Sequence, residues 1–200
     1  MVDDARIPGR TVMSTRASRR AFLLGSLATS GCMILARHAL GEPNSNTKEG
    51  STVRIENFAA SGKSAGVAQV SKVIKSDTEW RKLLSKDAYV VTRHEGTERA
   101  FSGKYVNNHA AGIYRCICCG TALYDAQTKF ESGTGWPSFW QPISKLNVGE
   151  SEDNTLFTKR TAVSCRRCDA HAGHVFDDGP KPTGLRYCMN SVALNFIAKA

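Results

Sequence analysis

"AVSCRRCDAHAGHVF", Ala162 to Phe176, sets two β-prone runs, "AVSCR" and "GHVF", on either side of a Cys-x-x-Cys turn. Two residues between cysteines make a tight turn that aims both sulfurs at one point. Working outward, "CICCG" at Cys116–Gly120 repeats that spacing with Cys116 and Cys119. "YVVTR" (89–93), "TALYD" (121–125), "TLFTK" (155–159) and "VALNFI" (192–197) are further short β-prone runs, separated by Gly, Pro, Asn and Asp. In "SDTEW", Ser76 and Glu79 form a capping-box pattern, and Trp80, Leu83 and Leu84 fall on one helical face. The reading is a compact, mainly antiparallel β-domain with one short helix, about Asp77 to Leu84, at its start.

The two knuckles together present Cys116, Cys119, Cys165 and Cys168, a tetrahedral thiolate set of the kind that holds structural zinc. A closed four-thiolate shell has no open position for chemistry, so this metal clips distant hairpins together. Disulfides are the alternative, and Cys118 is a second candidate ligand in the first knuckle.

The chain has 200 residues, 41% of them hydrophobic, which suffices for one globular domain plus extensions. Its formal charge of +9 owes much to Arg6, Arg10, Arg16, Arg19, Arg20 and Arg37. Without those six arginines, Asp3 and Asp4 the balance is +5. The remaining charges are scattered, with no basic stripe and no interleaved aromatics, so a nucleic-acid partner is not expected.

Residues 1–41 read as an export signal. Ser18, Arg19, Arg20 and Phe22 stand at the head of the uncharged run Ala21 to Ala36, which is shorter than the ~20 apolar residues a bilayer span needs. The paired arginines resemble a twin-arginine signal, and "ALG" at Ala39–Gly41 offers a cleavage site. The expectation is a periplasmic protein without stable membrane association, and Cys32 leaves with the signal. Residues 42–66, rich in Ser, Asn, Gly and Lys, read as a flexible linker, which places the domain at 67–200.

Cys188 stands alone in "LRYCMN" (185–190). In a strand, Arg186, Cys188 and Asn190 share a face. A guanidinium beside a thiol favours the thiolate, and "DAHAGHVFDDGP" brings His171, His174, Asp177 and Asp178 into the same stretch. Such a Cys/His arrangement supports nucleophilic thiol chemistry. Each residue also has a plainer reading: a buried thiol, structural histidines, a turn aspartate.

From about Val70 to Phe196 the chain resembles the B-type peptide-methionine (R)-S-oxide reductases. The resemblance rests on "SDTEWRKLLSKDAYVVTRHEGTERAFSGKY", "GIYRCICCGTALYDAQTKFESGTGWPSFW" and "CRRCDAHAGHVFDDGPKPTGLRYCMNS". It implies two antiparallel sheets rolled into a barrel-like or tent-like core. It implies structural zinc on Cys116, Cys119, Cys165 and Cys168, and Cys188 as a nucleophile that attacks the sulfur of R-epimer methionine sulfoxide and is left as a sulfenic acid. Trp136 would wall the pocket for the ε-methyl group. His171 and His174, with water or Asp178, would bind and protonate the sulfoxide oxygen. Arg186 would steady the thiolate, and Asn190 falls among the same polar groups. The implied partners are oxidised proteins and peptides, and an external thiol reductant that is thioredoxin-like, glutaredoxin-like or a small thiol. The expected state is a monomer. Many members carry a resolving cysteine in "SGCGWPSF", and this chain has Thr134 at that place. A zinc-ribbon binding module without catalysis is the competing reading; it leaves Cys188 and the histidines without a purpose.

Overall fold

Residues 129–189 supply most of a six-stranded antiparallel sheet, and the site sits on it. The computed structural model describes residues 50–154 and 159–199, all within the unit Ser45–Ala200. The export signal and most of "TLFTK" lie outside the described residues. Strands β1 (Thr52–Phe58) and β2 (Ser64–Ser71) form a hairpin, followed by helices α1 (Asp77–Leu83) and α2 (Lys86–His94). Then come β3 (Gly112–Cys116), β4 (Ala122–Asp125), β5 (Lys129–Phe130), β6 (Ser138–Phe139), β7 (Val148–Asp153), β8 (Arg160–Cys165), β9 (His171–Phe176), β10 (Arg186–Met189) and β11 (Leu194–Ala198). The large sheet has the order β5-β6-β10-β9-β8-β7, and a smaller one the order β11-β3-β4. Mainly antiparallel β structure is as expected; the two-sheet barrel is not, since the described residues form three sheets counting the β1–β2 hairpin. Strands β5 and β7 end the large sheet without pairing to each other, so it stays open.

Three expectations change. The stretch read as linker, 42–66, holds β1 and the start of β2. In "TVRIENF" the inward positions alternate, and Ile55 is 2% exposed. The hairpin is fastened from far along the chain: the Asn147 side chain accepts from Glu56 N at 2.8 Å and donates to Glu56 O and Ala122 O, both at 2.8 Å. Arg115 donates to Phe58 O at 2.6 Å. Second, the described residues hold two α-helices where one was expected. Ser76 and Glu79 complete the capping box on α1, as the pattern required. Ser85 caps α2 by accepting from Ala88 N. Third, "YVVTR" is helical: α2 buries Ala88, Tyr89, Val91 and Thr92, one stripe of the helix, and that burial outweighs the strand preference of β-branched residues. Among the described residues no helix is long and apolar enough to cross a membrane.

The two sheets meet through aromatic rings. Tyr124 stacks on Phe139 with centroids 4.4 Å apart, and Tyr114 meets Phe139 edge-on at 5.0 Å. All three are fully buried. Each such pair adds ~0.5–1.5 kcal/mol beyond its area term.

The two knuckles are copies of one turn. In the first, Gly120 N donates to Cys116 O at 2.9 Å and Cys116 N to Thr121 O at 2.8 Å. In the second, Asp169 N donates to Cys165 O at 2.9 Å and Cys165 N to Ala170 O at 2.9 Å. Gly120 (φ 74°) and Asp169 (φ 55°) occupy the same left-handed position. By that equivalence Cys118 matches Arg167, and Cys119 matches Cys168.

Candidate active site

Strand register assembles the site. Cys188 lies opposite His174 on β9 and opposite Ser138 on β6, and His174 lies opposite Ala162 on β8. Opposed residues share a face, so Ser138, Cys188 and His174 form one row across the sheet. Arg186, Phe176, Arg160 and Asp153 stand two residues along from this row, on the same face. The opposite face carries Phe139 and Tyr187 into the core.

A bulge adjusts the histidines. Val163 pairs with Gly173 but Ser164 with His171, so Ala172 is the extra residue. It turns His171 to the side of His174, and their rings meet edge-on with centroids 5.2 Å apart. Gly173 is required here, because a Cβ would run into the carbonyl oxygen of Cys188 on the next strand.

The cleft over the row has a volume of about 120 Å³. Cys188, His174, Trp136 and Asn190 line it as expected; Thr97, Arg160, Gly173 and Phe176 complete it. That size suits a compact side-chain terminus, since a cavity of ~150 Å³ admits a benzene-sized molecule. Trp136 is held by its indole N–H on Glu98 O at 3.1 Å. Asn190 is more brace than lining: its amide donates to Ala172 O at 3.1 Å and accepts from Glu98 N at 2.9 Å. Glu98 in turn accepts from Ser191 N at 2.6 Å and Val192 N at 3.0 Å. One half-buried carboxylate thus anchors the loop that carries Thr97 and Trp136's acceptor to the turn that follows β10.

Water or Asp178 is the expected companion of the histidines at the sulfoxide oxygen; Asp178 lies on Arg186. Asp178 is exposed and makes a two-pronged pair with Arg186 at 2.8 Å on each prong. That bond holds the Asp178 carboxyl below the usual range. Arg186 also stacks over Phe176, 4.4 Å from the ring centroid. The carboxylate on His174 is Asp153, with Oδ2 2.7 Å from His174 Nε2 and 2.7 Å from Arg160 Nη2. His171 lies behind His174 and does not line the cleft. Burial, followed by the neighbouring His174, lowers its pKa to about 4. At neutral pH His171 is therefore uncharged, and of the two histidines only His174 lines the cleft.

Burial pushes the Cys188 thiol above its ordinary value, against opposing pulls from Thr134, Arg186 and Ser138. The pull of Arg186 toward the thiolate is present, as the sequence reading expects, and burial opposes it more strongly. Thr134 Oγ1 lies 3.8 Å from Cys188 Sγ and bonds Ser132, which bonds Ser138, each at 2.8 Å. Position 134 therefore faces the nucleophile, and a threonine there cannot form a disulfide.

Cys116, Cys119, Cys165 and Cys168 lie with their sulfurs all within 4.8 Å of one another, the shortest at 3.5 Å and 3.6 Å. Four sulfurs ~2.3 Å from a tetrahedral metal would be ~3.8 Å apart. All six described cysteines are free thiols, so the disulfide alternative is not the one formed. Packing among the other thiols, and burial after it, push Cys116 well above the usual thiol range. Four thiol sulfurs gathered at that spacing are a donor set that fits a metal ion. Cys118 meets Thr92 at 3.5 Å on this side of the domain, whereas the polar neighbours of Cys188 are Thr134, Ser138 and Arg186.

Asp153 and Arg160 escaped the sequence reading. Their signal is the cross-strand pairing of β7 with β8, where they lie directly opposite.

The chain matches known proteins over this region. A family profile described as SelR domain matches residues 84–198. A protein of Hahella chejuensis called peptide methionine sulfoxide reductase MsrB is 52% identical over 127 residues, covering 64% of this chain and 91% of its own. One of the same name from Pseudomonas putida F1 is 56% identical over 126 residues, covering 63% and 96%. Rice peptide methionine sulfoxide reductase B1, chloroplastic, is 56% identical over 119 residues, covering 60% and 56%.

Proposed function

The chain belongs to the SelR-domain family of peptide methionine sulfoxide reductases, and from that premise we propose the part each residue takes. It is a thiol-dependent oxidoreductase that reduces methionine sulfoxide to methionine. The observation that carries the assignment of roles is the direct cross-strand pairing of Cys188 with His174 in the floor of the Trp136 cleft.

Cys188 sulfur attacks the sulfoxide sulfur. As the S–O bond breaks, the oxygen passes to Cys188, methionine leaves as the thioether, and Cys188 becomes a sulfenic acid. The thiol hydrogen is conserved as the sulfenic O–H, so no outside oxidant or reductant enters this step. His174, oriented by Asp153, supplies a proton to the oxygen while the bond is polarised and recovers one from the thiol. Trp136 and Phe176 receive the methyl group on aromatic surface, and Arg186, fixed by Asp178, favours charge on the attacking sulfur. Two external thiols then reduce the sulfenic acid, giving their disulfide and water. Thr134 leaves this second step to a partner: a thioredoxin-like, glutaredoxin-like or small thiol.

The metal on Cys116, Cys119, Cys165 and Cys168 is zinc, with a structural role. The substrate epimer is R, on oxidised proteins and peptides, and the enzyme works as a monomer. The arginine pair Arg19–Arg20 directs export to the periplasm. Turnover of the two sulfoxide epimers, offered separately with dithiothreitol, tests the reading: the R epimer should be consumed and the S epimer left. Consumption of the S epimer alone, or of neither, would refute it.

A further inference from the structure

Glu98 stands between the wall of the cleft and the strand that carries Cys188. Its carbonyl oxygen accepts the Trp136 indole N–H at 3.1 Å, which fixes how the half-buried ring faces the cleft. Its own N–H donates to the Asn190 side chain at 2.9 Å, and its carboxylate accepts from Ser191 N at 2.6 Å and Val192 N at 3.0 Å. Those three partners follow directly on β10, whose Cys188 is the nucleophile. Backbone on one side and side chain on the other, a single residue therefore ties the aromatic wall to the turn after Cys188. Its neighbour Thr97 lines the cleft itself.

The tie is closely packed. Ser191 is fully buried, so its N–H has no solvent to turn to if the carboxylate moves away. A Cβ on Gly103 would come within 2.5 Å of Glu98 Oε1 and 2.3 Å of Ser191 Oγ, and that hydroxyl also accepts from Tyr105 N at 3.3 Å. The backbone of the Trp136 segment has separate supports: Met189 N donates to Pro137 O at 3.0 Å, and Ser138 Oγ to Trp136 O at 3.2 Å. Those bonds place the main chain under the ring. The bond to Glu98 sets the ring.

Resting on the reductase reading above, we propose that Glu98 is a positioning residue that sets the size of alkyl group the cleft accepts on the sulfoxide sulfur. By joining the Trp136 ring to the turn after β10, it holds the wall at a fixed distance from Cys188. A cleft of about 120 Å³ with a fixed wall seats a methyl, and a longer alkyl group meets the ring before its sulfur reaches Cys188. No covalent step is added. A carboxylate suits this task because it offers one oxygen to each of two N–H donors, whereas an amide has a single oxygen.

The test compares the blocked R-epimer sulfoxides of methionine and ethionine, which differ by one methylene on the sulfur, with dithiothreitol as reductant. Wild type should favour the methyl substrate in kcat/KM by ~10-fold or more, as one methylene in a fitted pocket allows. Glu98→Gln leaves one backbone N–H facing an amide NH₂ and should cut that preference at least ~3-fold. Gly103→Ala disturbs the same carboxylate from the other side, with its charge kept, and should move the preference the same way. Ile55→Val, in the β1–β2 hairpin and outside the cleft lining, should lower the melting temperature and leave the preference at its wild-type value. A purely structural Glu98 would lower both rates together and keep their ratio. An unchanged ratio in the two folded variants, a wild type indifferent to the methylene, or failure of both variants to fold would overturn the positioning role and leave the reductase reading standing. No turnover of the methionine R-epimer sulfoxide by wild type would overturn both.

Discussion

Asp153→Asn is the most informative change in the cleft. It keeps the shape of the side chain and removes one charge. In wild type the carboxylate oxygen lies 2.7 Å from both His174 Nε2 and Arg160 Nη2, so those nitrogens are at most about 5.4 Å apart, twice that distance. With the charge gone, a proton on His174 faces the Arg160 guanidinium without the carboxylate between them. Two unit charges at that separation repel by between about 0.8 kcal/mol at the dielectric of water and about 3 kcal/mol at an effective dielectric of 20. Asp153 and His174 side chains are about one-tenth exposed, which favours the upper half of the range. Positive charge developing on His174 as it handles the proton meets that repulsion unopposed, and kcat with the R epimer and dithiothreitol should fall ~10- to 100-fold. Melting temperature and metal content serve as controls. An unchanged rate in a normally folded protein would refute the role given to Asp153.

Cys168→Ser should lose the metal and unfold or aggregate, since a structural zinc contributes an apparent ~10–16 kcal/mol; elemental analysis of wild type should find about one zinc per chain, and its absence would break the assignment. Thr134→Cys places a second sulfur beside Cys188, where the hydroxyl oxygen now stands at 3.8 Å, so a loop movement of roughly 2 Å closes an S–S bond. That variant should gain thioredoxin-driven turnover; a gain seen only with dithiothreitol would count against the missing-resolver account. Changing Arg19 and Arg20 together to lysine should hold the precursor, uncleaved, in the cytoplasm, whereas unchanged processing near Gly41 would indicate an ordinary secretory route.

The legible parts of this chain are those whose signal is local. Each cysteine knuckle is one turn long, and its spacing alone places both sulfurs. Cys188, Arg186 and the β10 strand fall within six residues. Ser76 and Glu79 close a capping box within a single helical turn. What stayed hidden depends on distant partners. The β1–β2 hairpin has the Ser, Gly, Asn and Lys content of a linker, and becomes structure because Asn147 bonds Glu56, 91 positions away in the sequence. Helix α2 carries Tyr89, Val90, Val91 and Thr92, which suit a strand equally well until the core takes one face. Asp178 and Asp153 are both acidic residues near the histidines. Only strand register distinguishes the one that meets His174 from the one that meets Arg186. The bulge at Ala172, which brings His171 behind His174, leaves no mark that a two- or three-residue period could reveal.

The central claim is that Cys188 takes the sulfoxide oxygen and keeps it until an external thiol arrives. The most direct measurement is mass spectrometry after one equivalent of R-epimer substrate, without reductant and with a sulfenic-acid trap. The account predicts one trapped adduct, on Cys188, with one equivalent of methionine formed and the zinc cysteines unmodified. Methionine formed with no adduct on Cys188, or with Cys188 found in a disulfide to Cys118, would contradict it.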